Sequence, residues 1–478
     1  MSVRRRSALV GLAIATVLVI VAQAAQAASM PITSGSLTGP PLGLKPLEPA
    51  EQLTVVMSRS KALESLNPAA VSYYEKQYGV SEAVARERLA TQVMAPNLGA
   101  VLAQHLGKGY SDVWFDNSTG QWVLDVTSSA ATTEAETLMH ERNLEGTYRL
   151  VRVPFDHEQL EGAARRTAQR LRGLTTAGLA SVGEGAGKVN VILASTVTPE
   201  QRDEAEGAKA TISSESGTPP VGITDSTEAS LAAKPHVGCS WRYCNTLIGG
   251  DHWYGSGVGC TMSYFVAIKG REPWVPSMLT AGHCLAGMGG LVKPAETCEP
   301  GETPCGQWGL TLTFFEGDGH GDAGLIDDYS GQYSGPPAFA IYGGYWNWSI
   351  STVSKLESYY TSAPPTGLTV CKQGSGKEDP NKGGSLGSSC GTISEDGVTE
   401  HYGGLEEVNL FKVVNARACD GDSGSPIDSA SSDTAVGILD SGNENEGSGC
   451  GSTSESTTIG EAISFWNLTV YGGAWGPW

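Results

Sequence analysis

Cysteine is absent from the first 238 of the 478 residues, and all ten cysteines fall between Cys239 and Cys450. A chain divided this way has two differently stabilised parts, and only the second is equipped for disulfides. Basic residues are also scarce, with 31 Lys and Arg against 51 Asp and Glu and a net charge of −20. A surface of that sign repels phosphate, which argues against nucleic acid as a partner, and otherwise speaks to solubility rather than fold. Past the amino terminus no apolar run reaches the ~20 residues of a bilayer-spanning helix. Metal signatures are missing as well: no zinc spacing, HExxH or EF-hand pattern occurs. Neither a metal nor any other cofactor is therefore expected. Only an acidic loop such as Asp327-Asp328 offers a place for bound calcium.

What is present begins with a targeting segment. Arg4, Arg5 and Arg6 precede an apolar run from Ala8 to Ala22 broken only by Thr16, and Ala25-Gln26-Ala27 follows. Positive start, short apolar stretch and small-x-small site are the pattern of a cleaved export signal, here residues 1–28. A membrane anchor is the alternative, but about fifteen apolar residues fall short of a span. The chain is expected to be extracellular.

Residues 29–212 read as a separate α+β domain. Ser81 to Leu89 has helical spacing of Ala, Leu and Val among charges. Trp122 to Val126 is strand-like, Thr132 to Asn143 helical, Tyr148 to Phe155 a strand, His157 to Leu171 an amphipathic helix, and Val189 to Leu193 a strand. Asp116-Asn117-Ser118-Thr119-Gly120 carries turn residues. Residues 213–235 are rich in Ser, Thr, Pro and Gly, the composition of an exposed linker open to cleavage. From about His236 the period changes to two. Phe265 to Ile268, Met278 to Thr280, Leu310 to Phe314, Gly367 to Val370 and Val436 to Leu439 are short β-rich runs between turn signals, which predicts a barrel or sandwich over 236–478.

Three runs in this second part carry chemistry. Cys419-Asp420-Gly421-Asp422-Ser423-Gly424-Ser425-Pro426 sets a serine between glycines, which allow a tight turn and a projecting side chain. A serine hydroxyl is a weak nucleophile without a base and a group to orient that base. Leu279-Thr280-Ala281-Gly282-His283-Cys284 offers an imidazole, and Gly321-Asp322-Ala323-Gly324-Leu325-Ile326 a carboxylate. A lone serine in a Gly-rich turn, or a lone histidine, is usually structural. Three motifs together argue otherwise.

In flanking residues and in the order His, Asp, Ser, these runs resemble the chymotrypsin family of serine proteases, and differ from subtilisin and the α/β-hydrolases. The resemblance implies an all-β double six-stranded antiparallel barrel. Trp114-Phe115-Asp116 and Thr119-Gly120 before the first strand resemble the pro-regions of the alpha-lytic and streptogrisin branch, which assist folding and inhibit until removed. An attached binding domain is the competing reading of that part. Slow folding of non-local β pairing is a physical reason for a folding template. The implied activity is peptide-bond hydrolysis by a secreted endopeptidase made as a precursor, monomeric once mature. Its partners would be protein or peptide substrates and its own pro-region. The rival is a catalytically silent barrel used for binding.

The implied roles follow. His283 would serve as general base and then acid, Asp322 would fix its tautomer, and Ser423 would attack. The backbone N–H groups of Gly421 and Ser423 would form the oxyanion hole. Asp422, if buried, needs a partner. The animal relatives use a new apolar amino terminus, whereas the bacterial ones use an internal basic residue at the position of Lys372, so an Asp422–Lys372 pair is expected. Cys239 with Cys244 and Cys298 with Cys305 are close enough for local loops. The resemblance adds Cys260–Cys284, Cys371–Cys390 and Cys419–Cys450. Substrate backbone would pair along Leu439-Asp440-Ser441-Gly442. Arg417 falls either at the pocket floor, where it would favour an acidic side chain, or on the barrel exterior. The family usually has serine where Asp440 falls, and a commoner glycine where Ser425 falls. His320, two residues before Asp322, reads as a surface or supporting group.

Overall fold

The structure is a computed structural model. It describes residues 44–177, 179–215, 218–225, 246–250, 252–255, 258–270, 276–286, 294–296, 307–316, 319–327, 340–347, 352–374, 388–402, 405–419, 421–431, 433–442 and 450–475. The export signal, Asp328 and the four cysteines 239, 244, 298 and 305 lie outside them. Among the described residues no helix is long and apolar enough to cross a membrane.

The amino-terminal half is α+β. Its helices start where the sequence supplies caps. Asn67 accepts from the Ala69 amide ahead of Pro68–Tyr78. Asp156 with Gln159, and Thr198 with Gln201, form capping boxes at His157–Arg170 and Pro199–Ser213. A three-stranded sheet joins Tyr110–Asp116, Gln121–Val126 and Tyr148–Arg152. The Tyr110–Asp116 strand was not visible in the sequence, because Ser111, Asp112 and Asp116 break its apolar alternation. Val221–Asp225, within the stretch read as a linker, adds a strand parallel to Lys188–Leu193.

The carboxyl-terminal half is built mainly of antiparallel β-structure. One barrel closes on itself through six strands. Thr369–Gln373 pairs with Pro426–Ser429, which pairs with Thr434–Gly442, then Cys450–Thr458, Leu405–Cys419 and Ser388–Tyr402, and the last returns to Thr369–Gln373. Closure leaves this barrel no free edge within the ring. The other sheet runs through Phe265–Ile268, Pro276–Thr280, Asp322–Asp327 and Gln307–Glu316. It extends past six strands by recruiting the last strand, Leu468–Trp475, which pairs with Phe265–Ile268 and with Leu44–Leu47 from the chain's other end.

The two halves share both a sheet and a core. Ala180–Gly185 pairs with Ser388–Tyr402, so the amino-terminal strands extend the barrel's sheet. Gly183 makes this approach possible: a Cβ there would lie 2.9 Å from Val398 Cγ2 and 3.0 Å from the Asp396 carbonyl. Val71, Leu89, Leu98 and Phe115 pack in one cluster with Cys371, Val413, Val436 and Leu439. Polar contacts reinforce it. Tyr73 and Tyr78 hydroxyls lie 3.0 and 2.9 Å from Thr392 Oγ1, and Gln92 Oε1 accepts from the Thr369 amide at 2.8 Å.

The junction also buries acids. Glu184 stands directly opposite Asp396 across the paired strands, and Asp112 accepts from the Gly187 amide at 2.7 Å. Burial, then the charges of Asp396 and Asp112, hold the Glu184 carboxyl well above its usual range. Burial and the neighbouring Asp112 push Asp125 up to about 7. Burial also takes Glu395 to about 7, against the pull of the Lys412 ammonium. A carboxyl whose folded pKa exceeds its unfolded value near ~4 binds its proton more tightly in the folded chain. Its stabilisation is complete below about pH 4 and is lost as pH rises toward 7. Thermal melts of the full chain should show Tm falling by several degrees from about pH 4 to 7. Asp125→Asn and Glu395→Gln should each flatten that slope, and an unchanged slope in both contradicts the assignment.

Candidate active site

His283 lies on the short helix Gly282–Ala286 and Asp322 opens the strand Asp322–Asp327. Asp322 belongs to the extended sheet and the His283 helix follows its strand Pro276–Thr280, whereas Ser423 sits in the loop before Pro426–Ser429 of the closed barrel. The three side chains therefore come from both sheets. The Asp322 carboxylate is fully buried, and both of its oxygens contact one residue. Oδ1 accepts from the His283 backbone N–H and Oδ2 lies against His283 Nδ1, each at 2.7 Å. Burial opposes the Asp322 charge, but His283 and the hydrogen bonds prevail and hold this carboxyl below its ordinary value. The strand start is fixed by Thr457, whose Oγ1 accepts from the Asp322 amide at 2.6 Å and donates to its carbonyl at 3.0 Å. Gly324 admits the helix, since a Cβ there would lie 2.6 Å from Leu285 Cδ1 and 3.0 Å from the Ala281 carbonyl.

The serine loop is held by its backbone. Gly424 donates to the Leu439 carbonyl at 2.7 Å, and Leu439 donates to the Ser425 carbonyl at 2.9 Å. From the other sheet, Thr261 donates its amide to the Ser423 carbonyl at 2.7 Å and its hydroxyl to the Gly421 carbonyl at 2.7 Å. Gly421 and Gly424 have φ of 85° and 87°, where a side chain is strained. Among the described residues the Gly421 and Ser423 amides have no acceptor. Two backbone N–H groups beside a serine are what an oxyanion requires.

Lys372 and Asp422 form an ion pair with both side chains buried, and Asp422 also accepts from the Cys419 amide at 2.8 Å. Cys260–Cys284, Cys371–Cys390 and Cys419–Cys450 are bonded. The first joins the His283 helix to the Val258–Thr261 strand, which reaches the serine loop through Thr261. Leu439, Asp440, Ser441 and Gly442 lie on the Thr434–Gly442 strand. Arg417, half-buried, donates its amide to Ser389 Oγ at 2.6 Å. His320 faces Glu461 at 3.3 Å.

One member of the site was missed in the sequence. Glu407 is buried beside Asp440, which in turn lies 3.5 Å from His283 Nδ1. The only signal was a glutamate in a strand. Asn409, at φ 60°, breaks the alternation that would have shown which way Glu407 points.

No family model matches this chain, and no curated protein matches it. Solved structures do resemble its carboxyl-terminal half. Protease A from Thermobifida fusca is 22% identical with a TM-score of 0.34, covering 47% of this chain and 98% of its own. A Nocardiopsis protease is 22% identical with a TM-score of 0.35 over the same shares. An alpha-lytic protease homologue, N4, is 19% identical with a TM-score of 0.34, covering 47% and 99%. What the site can do is read from its own residues.

Lys372→Ala would take the ammonium away from the buried Asp422 carboxylate next to Ser423, at a cost of about 3–5 kcal/mol. Denaturant titration should register that loss, and any activity should fall with it. Full stability and activity in this variant would contradict a supporting role for the pair.

Proposed function

We propose that the chain is a secreted serine endopeptidase acting through an acyl-enzyme. The observation that carries this reading is the grip of a buried Asp322 on both the backbone and the ring of His283, beside the Gly421–Ser425 loop. Asp322 keeps the proton of His283 on Nδ1, leaving Nε2 as the base that takes the Ser423 proton. Ser423 Oγ attacks the carbonyl carbon, and the Gly421 and Ser423 amides receive the oxyanion, at about 10²–10³ in rate per donor. His283 then returns the proton to the leaving amine. Water repeats the sequence on the ester and frees the enzyme.

The signal at 1–28 and disulfides confined to the second half support export. The amino-terminal domain is read as a pro-region: it leads into the Ser-, Thr-, Pro- and Gly-rich stretch 213–235, and it extends the barrel's sheet and shares its core. Peptide substrates would pair along Leu439 to Gly442. Arg417 as a determinant of the cleavage position belongs to the same reading. The silent barrel remains the rival because Asp440 adds a second buried acid to the His283–Asp322 pair.

Reaction of the matured protein with a fluorophosphonate, followed by peptide mapping, tests the reading. Stoichiometric labelling at Ser423 that disappears in His283→Ala is expected. Absence of labelling in a folded, disulfide-bonded protein would favour the silent barrel.

A further inference from the structure

A line of polar side chains crosses one face of the closed barrel. Ser441, Glu455, Lys412 and Glu395 stand directly opposite one another on four neighbouring strands, Thr434–Gly442, Cys450–Thr458, Leu405–Cys419 and Ser388–Tyr402. Residues paired in this way share a face of the sheet. Ser441 Oγ donates to Glu455 Oε2 at 3.2 Å, and Lys412 Nζ lies 3.0 Å from Glu455 Oε1 and 3.8 Å from Glu400 Oε1. One end of the row adjoins the reactive centre. Ser441 follows Asp440, which lies 3.5 Å from His283 Nδ1, and Leu439 is hydrogen-bonded to the serine loop through its amide and its carbonyl. The other end lies under the amino-terminal half. Ser181 Oγ is 3.5 Å from Lys412 Nζ, and a Cβ on Gly183 would lie 3.1 Å from that of Glu395.

Such a row is an expensive way to fasten a lasting junction. Three carboxyls, on Glu395, Glu400 and Glu455, face the one ammonium of Lys412, and all four residues are buried. Among the described residues Glu395 Oε2 and Glu400 Oε1 receive no hydrogen bond. A buried oxygen without a donor is costly, and apolar residues in place of a buried ion pair often serve as well or better. These side chains are better satisfied once the strand Ala180–Gly185 has left and water reaches them.

We infer that the row is a substrate subsite, capped by Ala180–Gly185 before maturation, which takes a lysine or arginine side chain from the acyl side of the scissile bond. This rests on the endopeptidase reading and names a substrate class for the same site. A peptide laid along Leu439 to Gly442 passes Ser441, and the strand carrying Glu455 is about 5 Å away. A long basic side chain spans that gap. The entering cation takes the Glu455 carboxylate, and Lys412 turns to Glu400 and Glu395, whose open oxygens receive it. Three carboxylates then face two cations, a better balance than three against one. An acidic side chain at the same position meets Glu455 and is rejected.

The experiment is cleavage of quenched peptides by the matured wild type, Glu455→Gln and Lys412→Met, with Lys, Arg, norleucine or Glu placed in turn at each acyl-side position. We expect one position at which Lys and Arg exceed norleucine by about tenfold or more in kcat/KM, with Glu the poorest. The gap should narrow with added salt. It should vanish in Glu455→Gln and widen in Lys412→Met, where the competing ammonium is gone. Fluorescence anisotropy of the Lys and norleucine peptides should show the same preference in binding to the matured wild type. The full chain before maturation should bind the two alike. No basic preference at any acyl-side position, or one that survives in Glu455→Gln, overturns the subsite, and a full chain that already discriminates overturns the cap. Should neither variant fold, equal binding of the two peptides to the matured wild type overturns it as well. A matured wild type without turnover would count against the endopeptidase reading, and the binding comparison would still decide the subsite.

Discussion

The buried charge of Asp322 is the constraint on which the rest of this site depends. A lone carboxylate without solvent is costly, and its placement is tolerable only because hydrogen bonds surround it. The His283 backbone and ring take both of its oxygens, and Thr457 fixes its backbone from a strand of the other sheet. Asp422 meets the same requirement beside the serine, through Lys372 and the Cys419 amide. Each charge is therefore held by groups from separate elements, and holding the charge also sets the angle at which His283 and Ser423 are presented. Thr261 links the serine loop back to the histidine side, so the two sheets are joined through the centre itself.

The same economy of buried charge governs the junction with the amino-terminal half, with opposite outcome. There Glu184 meets Asp396 and Asp112 approaches Asp125, with little cationic compensation, so protons must replace counterions. Lys412, fully buried, is the cation of the neighbouring stretch and serves Glu455 and Glu400. A junction stabilised by protons is firm in acid and weakens as pH rises. It is also made of the barrel's own sheet, which couples the domain's attachment to the hairpin Ser388–Tyr402 and Leu405–Cys419 that carries Glu407.

How much of this was legible in the sequence follows from where charge is buried. The short apolar strands, such as Phe265–Ile268, and the capped helix His157–Arg170 announce themselves by period and by capping residues. The motifs around His283, Asp322 and Ser423 were visible because nucleophilic chemistry requires particular residue types in particular turns. Hidden were Tyr110–Asp116, Ala180–Gly185 and the long hairpin after Ser388. Their inward positions carry Asp112, Glu184, Glu395, Glu400, Glu407 and Lys412, residues that read as solvent-facing in any pattern based on hydrophobicity. Gly183, needed for close approach, reads as a turn. Asp440 was visible as a departure, but its partner Glu407 was not, since only the folded chain brings them together.

The central claim, that the His283–Asp322 pair activates Ser423, is tested most directly by acid-quenching the matured protein during turnover of an activated ester and weighing its peptides. The account predicts one acyl group per chain, on the peptide containing Ser423, and none in His283→Ala. Ester turnover without an acylated serine, or equal acylation in His283→Ala, would contradict it.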